Sequence, residues 1–233
     1  SHSQHRERLL RMGENPNLVF TVGAPGIDNL HRPDLPPADQ VLKDLGLSKT
    51  ENLPLLLVTY HPPTQNGDSK REIDGLLTAL GRITAVSILT LPNDDPGNAP
   101  VRQAMAKFAA AEPSQRVVVS ALGEDRYWAL LKRVDAVLGN SSSGLIEAPA
   151  IPVPVLNLGR RQQGRHMAPC VVNVPEPEPA AMAAALAKCL DPAFRRGLRV
   201  VDAPYGTGHS AERIVQVLKE MDWQHLPPKR FCE

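Results

Sequence analysis

The 233-residue chain has room for one large domain, or for one domain and part of another, and needs no disulfides to fold. Its formal net charge of +1 provides no broad basic field for nucleic acid, and no apolar run approaches the ~20 residues of a membrane span. Cys170, Cys189 and Cys232 are odd in number and lack metal-type spacing. This usage predicts reduced thiols in a cytoplasmic protein.

From residue 55 onward, apolar runs of strand length alternate with segments of helical periodicity. The sequence predicts strands at residues 55–60, 84–89, 117–120, 134–138, 153–156 and 171–174. It predicts helices at residues 69–80, 101–111, 124–133, 179–190 and 209–221. Nearer the start, a helix-compatible opening at residues 1–12 precedes a further predicted strand at residues 18–22. The alternation with short links predicts an α/β fold, a Rossmann-like doubly wound parallel sheet.

Polar residues cluster where the predicted strands end. In a doubly wound sheet, ligands bind beyond the carboxyl ends of the strands, near the point where the strand order reverses. Five such ends carry polar or turn-forming residues, namely His61, Asn93 with Asp94, Leu122 with Gly123, residues 141–143, and residues 160–162. Their placement predicts a ligand site at this edge of the sheet.

The most distinctive of these ends is Gly-Asn-Ser-Ser-Ser-Gly-Leu-Ile-Glu at residues 139–147. It joins a predicted strand to a short helix that Pro149 must end. Free N–H groups at the helix start, serine hydroxyls and the small Gly144 suit an anion such as phosphate. Glu147 lies one turn further on, at the right reach to accept hydrogen bonds from a sugar diol. An ordinary helix cap is the alternative reading of a serine-rich turn.

Several stretches, taken together, carry a resemblance to a known family. They are Val-Thr-Tyr-His-Pro at 58–62, the serine turn through 149, Asn-Leu-Gly-Arg-Arg-Gln-Gln-Gly-Arg at 157–165, Tyr-Gly-Thr-Gly at 205–208, and residues 13–28. The combination resembles the carboxyl-terminal half of the hydrolysing UDP-N-acetylglucosamine 2-epimerases. The resemblance implies a glycosyltransferase-B-type fold of two Rossmann-like domains. Residues 1–30 would be the remnant of the amino-terminal domain and the hinge, and residues 31–233 the UDP-binding domain.

The resemblance also implies a reaction and a set of site residues. Elimination of UDP would give a glycal, and water addition with inversion at C2 would release a free 2-epimerised amino sugar. His61 would assist the departing phosphate as the catalytic residue of this half. The implied UDP contacts are Ser141 and Ser142 on the diphosphate, Glu147 on the ribose, Arg161 on phosphate, and Asn93 and Leu122 lining the nucleotide pocket.

The family implies a UDP-sugar substrate in sialic-acid-type or related sugar synthesis and homo-oligomers of the full-length protein. From charge, hydropathy and residue spacing we expect no nucleic-acid or membrane partner and no metal, and we expect no other cofactor. Its acidic residues for proton transfer at the sugar belong to an amino-terminal domain, so we expect this chain alone to be inactive. Two alternatives stay open. One is a non-catalytic UDP-sugar binding module, and the other is a glycosyltransferase donor domain.

Overall fold

The computed structural model describes residues 1–47, 52–63, 68–198 and 203–226, and Cys232 lies outside this part of the chain. The chain divides into two compact units. One comprises residues 1–33 with those from 203 onward, and the other comprises residues 34–202. No helix within the described ranges has both the length and the apolar character needed to cross a membrane.

The larger unit is built on a six-stranded sheet in the order β3-β2-β1-β4-β5-β6. All neighbouring strands are parallel. The strands are β1 (Leu55–Thr59), β2 (Val86–Thr90), β3 (Arg116–Val119), β4 (Ala136–Gly139), β5 (Val155–Leu158) and β6 (Val171–Val174). Each matches a predicted strand with slightly shifted bounds, and the predicted doubly wound Rossmann-like fold is confirmed.

Helices cover the sheet because its central strands are apolar on both faces. Every residue of β1 is buried, as expected for a strand inside a parallel sheet. Leu56 and Val58 pack in one cluster with α3 (Ser69–Leu80), α4 (Asn98–Ala111) and α7 (Pro179–Leu190). The other α-helices described in this unit are α2 (Ala38–Asp44), α5 (Gly123–Leu131), α6 (Ser143–Ile146) and α8 (Pro192–Gly197), and a 3₁₀ turn spans Ala148–Ala150. Helix α5 packs with α2, and α6 packs with β4 and β5.

Among its described residues, the smaller unit contains α1 (Ser3–Arg11), α9 (Ser210–Glu220) and 3₁₀ turns at Pro16–Leu18, Pro25–His31 and Trp223–His225. Residues distant in sequence hold it together. The Asp28 carboxylate accepts hydrogen bonds from the backbone N–H groups of Ser210 and Ala211, each at 2.8 Å. These are N–H groups at the start of α9 that the helix itself leaves unpaired, so Asp28 acts as its cap.

The strand predicted at residues 18–22 is wrong. Leu18 ends a 3₁₀ turn, and the following residues form neither helix nor strand. Backbone carbonyl groups of this segment accept hydrogen bonds from side chains instead of from a neighbouring strand. Arg6 Nε donates to Val19 O, and Arg213 Nη1 donates to Val22 O. Apolar composition favours a strand, but a strand also needs a paired neighbour, which local sequence cannot supply.

The compact units differ from the predicted division in one respect. The prediction groups α9 with the second domain, whereas the structure groups it with residues 1–33. The division at residues 30 and 31 was drawn for a longer two-domain protein, and it stays a prediction.

Candidate functional site

The candidate site lies at the carboxyl ends of β1 and β4. From β1 the chain proceeds through β2 and β3 to one edge of the sheet, and from β4 it proceeds through β5 and β6 to the other. The strand order therefore reverses between these two strands, which is where open α/β sheets bind ligands. His61 follows β1 and Asn140 follows β4, and the Asn140 N–H donates to Thr59 O at 3.1 Å.

His61 is buried, with 9% of its surface exposed. The backbone N–H of Asn93 donates to its Nδ1 at 3.3 Å, so Nδ1 is an acceptor and the neutral ring carries its proton on Nε2. Burial lowers the pKa of His61, and the positive charge of Arg161 lowers it further, while Asp95 opposes them. The ring is therefore a neutral N–H donor at neutral pH.

Arg161 and Gln162 follow β5 and meet at one acceptor. Arg161 Nη1 and Gln162 Nε2 both donate to the backbone carbonyl of Asn140, at 3.1 and 2.8 Å. Arg161 remains an exposed residue, which leaves N–H groups of its guanidinium for another partner. Gln162 is 2% exposed, and its Oε1 has no hydrogen-bond partner among the described residues.

The serine turn is half-buried and begins a very short helix, since α6 spans only Ser143–Ile146. Ser141 Oγ accepts from the Ser143 N–H at 3.3 Å, whereas the Ser142 side chain makes no capping bond to the helix. A helix of one turn has a weak dipole, so an anion here would depend on hydroxyl and local N–H donors.

Glu147 ends this helix with a partly buried carboxyl group. Burial raises the pKa of Glu147, while the Ser143 hydroxyl and the Arg165 charge lower it. Its Oε2 is buried and has no hydrogen-bond partner in the part of the chain that the structure describes. The Tyr127 hydroxyl, from α5, bonds the Ser143 hydroxyl. The carboxylate is thus held on a short polar chain, with one oxygen free to accept a donor.

The structure brings most of the predicted residues together. His61, Asn93 and Arg161 are linked directly or through Asn140, and Ser141 and Ser142 follow that residue in the chain. Asn93 is exposed, and its described contact with the site is made by its backbone. Leu122 is buried at the N-terminal cap of α5 and has no described hydrogen bond to the others. The roles given to these residues stay predictions.

Sequence reasoning missed three residues of this network. Asn140 and Gln162 stand inside motifs that were recognised, but their own roles were not assigned. From the sequence, the position of Tyr127 on a predicted helix favours a packing role, whereas in the structure its hydroxyl bonds Ser143. No pattern in the sequence predicts that α5 and α6 come into contact here. Within the described ranges, no group of three or more His, Cys, Asp or Glu residues is arranged to hold a metal ion.

Comparisons with known proteins agree with this fold and with the family resemblance. A sequence model described as UDP-N-acetylglucosamine 2-epimerase matches residues 1–219. Polysialic acid biosynthesis protein P7 of Escherichia coli is 31% identical over 224 residues, covering 94% of this chain and 56% of the relative. UDP-N,N'-diacetylbacillosamine 2-epimerase (hydrolyzing) of Legionella pneumophila is 30% identical over 215 residues, covering 92% and 55%.

Solved structures show the same fold at low sequence identity. UDP-GlcNAc 2-epimerase from Neisseria meningitidis bound to UDP-GlcNAc superposes with a TM-score of 0.71 at 18% identity, covering 94% of this chain and 60% of that one. The S. aureus MnaA–UDP complex has a TM-score of 0.72 at 19% identity, covering 94% and 57%. The chain thus spans little more than half the length of these relatives. Because the family model matches residues 1–219, the chain belongs to the UDP-N-acetylglucosamine 2-epimerase family.

Proposed function

We propose that this chain is the UDP-binding half of a hydrolysing 2-epimerase acting on UDP-N-acetylglucosamine or a related UDP-sugar. One observation carries the proposal. A neutral histidine, an exposed arginine and a serine turn converge where the strand order reverses, and all are linked through Asn140. Family membership and the similarity to a hydrolyzing 2-epimerase support the reaction class.

The proposed diphosphate contacts are Arg161, Ser141 and Ser142. The Arg161 guanidinium supplies charge-assisted N–H donors, and the Ser142 hydroxyl is not used to cap α6. His61 would donate from Nε2 to the departing phosphate oxygen, because Nδ1 already accepts from Asn93. A positioned donor stabilises charge as it develops on a leaving group.

The proposed ribose contact is Glu147. Its buried Oε2 has no partner among the described residues, and a carboxylate without a donor is costly to bury. A ribose hydroxyl would supply that donor. Asn93, whose backbone bonds His61, and the buried Leu122 would line the nucleotide pocket.

The proposed reaction proceeds in two steps. In the first, the C2 proton is removed while the C1–O bond to UDP breaks, which gives a glycal and UDP. In the second, water supplies a hydroxyl at C1 and a proton returns to C2 on the other face, which releases the 2-epimerised sugar. The groups of this chain would act on the departing UDP. The E. coli relative is a polysialic acid biosynthesis protein, which supports amino-sugar metabolism as the setting.

We also propose that the proton transfers at the sugar require acidic residues of an amino-terminal domain, of which residues 1–30 would be the final part and residues 31–233 the UDP-binding partner domain. This chain alone would then bind UDP without turning over a UDP-sugar. The greater length of the relatives supports this. A 2-epimerase assay of the chain tests it, and release of free sugar by the chain alone would contradict it.

The first test of the site is calorimetric titration with UDP. Wild-type chain should bind saturably, and Glu147→Ala and Ser142→Ala should each weaken binding by about tenfold, as expected for hydrogen bonds that involve a charged group. Ser114→Ala is the matched control, because Ser114 is exposed in the turn before β3, away from the carboxyl ends of the strands. A folded chain that does not bind UDP would refute the proposed site.

A further inference from the structure

Asn140 joins β4 to the His61 backbone through its side chain. The His61 N–H donates to Asn140 Oδ1 at 2.8 Å, and Asn140 Nδ2 donates to His61 O at 2.8 Å. The residue is 1% exposed. A side-chain amide has the donor and acceptor of a peptide group, so it adds one further rung to the ladder between β1 and β4.

The Asn140 backbone makes the remaining connections. Its N–H donates to Thr59 O at 3.1 Å, and its carbonyl accepts from Arg161 Nη1 and Gln162 Nε2. A single buried residue therefore fixes the end of β1, the end of β4 and the loop after β5. Two of the side chains proposed to act on the diphosphate, those of His61 and Arg161, therefore depend on the position of Asn140.

A buried asparagine can also serve stability alone, and the same sheet contains an example. Asn157 is 2% exposed, and its Nδ2 donates to Asn173 Oδ1 at 2.8 Å. It lies opposite Gly139 in the register of β4 and β5, and its partner lies on β6. Both asparagines are buried at the sheet. They differ in their hydrogen-bond partners, because the Asn140 amide bonds the His61 backbone and the Asn157 amide bonds the Asn173 side chain.

We propose that Asn140 is the positioning residue of the site, which sets His61 and Arg161 at the distance that a nucleoside diphosphate requires. This deepens the proposed function and rests on it. Asn140 acts through its neighbours, since it is 1% exposed and both polar atoms of its side chain bond to His61 within the protein. Its loss should therefore move the His61 backbone as well as weaken nucleotide binding.

Asn140→Asp is the sharpest test. The new carboxylate keeps the acceptor for the His61 N–H but turns an oxygen towards the His61 carbonyl, where the amide donated at 2.8 Å. Two acceptors at that distance repel, so the β1 end should shift. Asn140→Ser is the second variant, because it removes the paired bonds without adding charge, and Asn157→Asp is the matched control for a buried carboxylate.

The first readout needs no nucleotide. In ¹H–¹⁵N spectra of the free chain, the His61 amide and ring signals should move in Asn140→Asp and Asn140→Ser. In Asn140→Ser, which removes the acceptor of the His61 N–H, that amide should also exchange about tenfold faster or more. Both sets of signals should stay in place in Asn157→Asp. Unchanged His61 signals in a folded Asn140 variant would overturn the proposal, whether or not the wild type binds UDP.

The second readout is the UDP dissociation constant. It should rise about tenfold or more in the Asn140 variants and stay within about twofold of wild type in Asn157→Asp, even where melting temperatures fall equally. Equal weakening by Asn157→Asp would make Asn140 a stability residue and overturn the proposal. A wild-type chain that does not bind UDP would refute the proposed function and not the role of Asn140. The spectra test that role independently, because they are recorded without nucleotide.

Discussion

The backbone N–H of Asn93 donates to Nδ1 of His61 across 3.3 Å, and this contact fixes the state of the imidazole. A backbone N–H can only donate, so Nδ1 must keep its lone pair. Protonation of the ring at Nδ1 would break the bond. It would also place a charge in a buried position near Arg161, which lowers the pKa of His61. The ring therefore presents a neutral Nε2–H to the site.

His61→Gln should change how stability depends on pH. An unfolded histidine titrates near 6.5 and folded His61 titrates lower, so the unfolded chain binds this proton first as the pH falls. The free energy of unfolding contributed by His61 is complete above pH 6.5 and declines as the pH falls through the lowered pKa. The amount by which the melting temperature of wild type exceeds that of His61→Gln should therefore decrease as the pH falls from 7.5 to 5. Calorimetric scans measure it, and a constant difference would contradict the buried neutral ring.

Glu147→Gln should improve stability and impair binding. Burial raises the pKa of Glu147, so the folded chain loses stability as the pH rises through that pKa, and the cost of a buried charge remains at pH 7. Removal of the charge should raise the free energy of unfolding at pH 7 by about 1 kcal/mol, which corresponds to roughly 2–4 °C in melting temperature. The gain should be smaller at pH 4. UDP affinity should fall about tenfold, because an amide is a weaker acceptor for ribose hydroxyls. If Glu147→Gln lowered both the melting temperature and the UDP affinity, the proposal that Glu147 binds ribose at the expense of stability would be contradicted.

The sheet was predictable because its strands are continuous apolar runs between short polar links. Leu55 to Thr59 has every residue buried, and such a run identifies a central parallel strand without knowledge of its neighbours. Residues 18–22 have similar composition, yet Phe20 is 45% exposed and no strand forms. Strand pairing depends on contacts distant in sequence, so composition alone cannot distinguish the two segments.

The site was predictable only in its outline. Strand ends indicated its edge of the sheet, because parallel strands bring their carboxyl ends together. The bonds within it depend on side-chain directions that only the packed structure determines. The Asn140 amide is an example, since its two partners lie on a residue 79 positions earlier in the chain. The Tyr127 hydroxyl is another, because Ser143 meets it through the packing of different helices.

Tyr127→Phe should weaken nucleotide binding without preventing folding. The substitution removes the hydroxyl that bonds Ser143, and Ser143 in turn lowers the pKa of Glu147. Loss of one such bond should raise the UDP dissociation constant by about three- to tenfold. Tyr60→Phe is the matched control, since its buried hydroxyl donates to Glu72 at 2.9 Å. That variant should lower the melting temperature and leave the affinity within about twofold. Equal effects on affinity would show that the phenols act only through stability.

Gly139→Ala should disrupt the junction of β1 and β4 on which the site depends. A Cβ at residue 139 would lie 1.9 Å from Thr59 O, and the backbone φ there is +127°, which an alanine rarely adopts. The collision is with backbone, so the strands themselves must separate, at an expected cost of about 3 kcal/mol or more. Gly46→Ala is the matched control, because its φ is +76° but, apart from its immediate chain neighbours, no heavy atom of the described residues lies within 4 Å of its Cβ position. Gly46→Ala should lower the free energy of unfolding only by the conformational strain of an alanine at positive φ, about 1–2 kcal/mol. Urea denaturation measures both values, and similar losses in the two variants would contradict the close approach of β4 to Thr59.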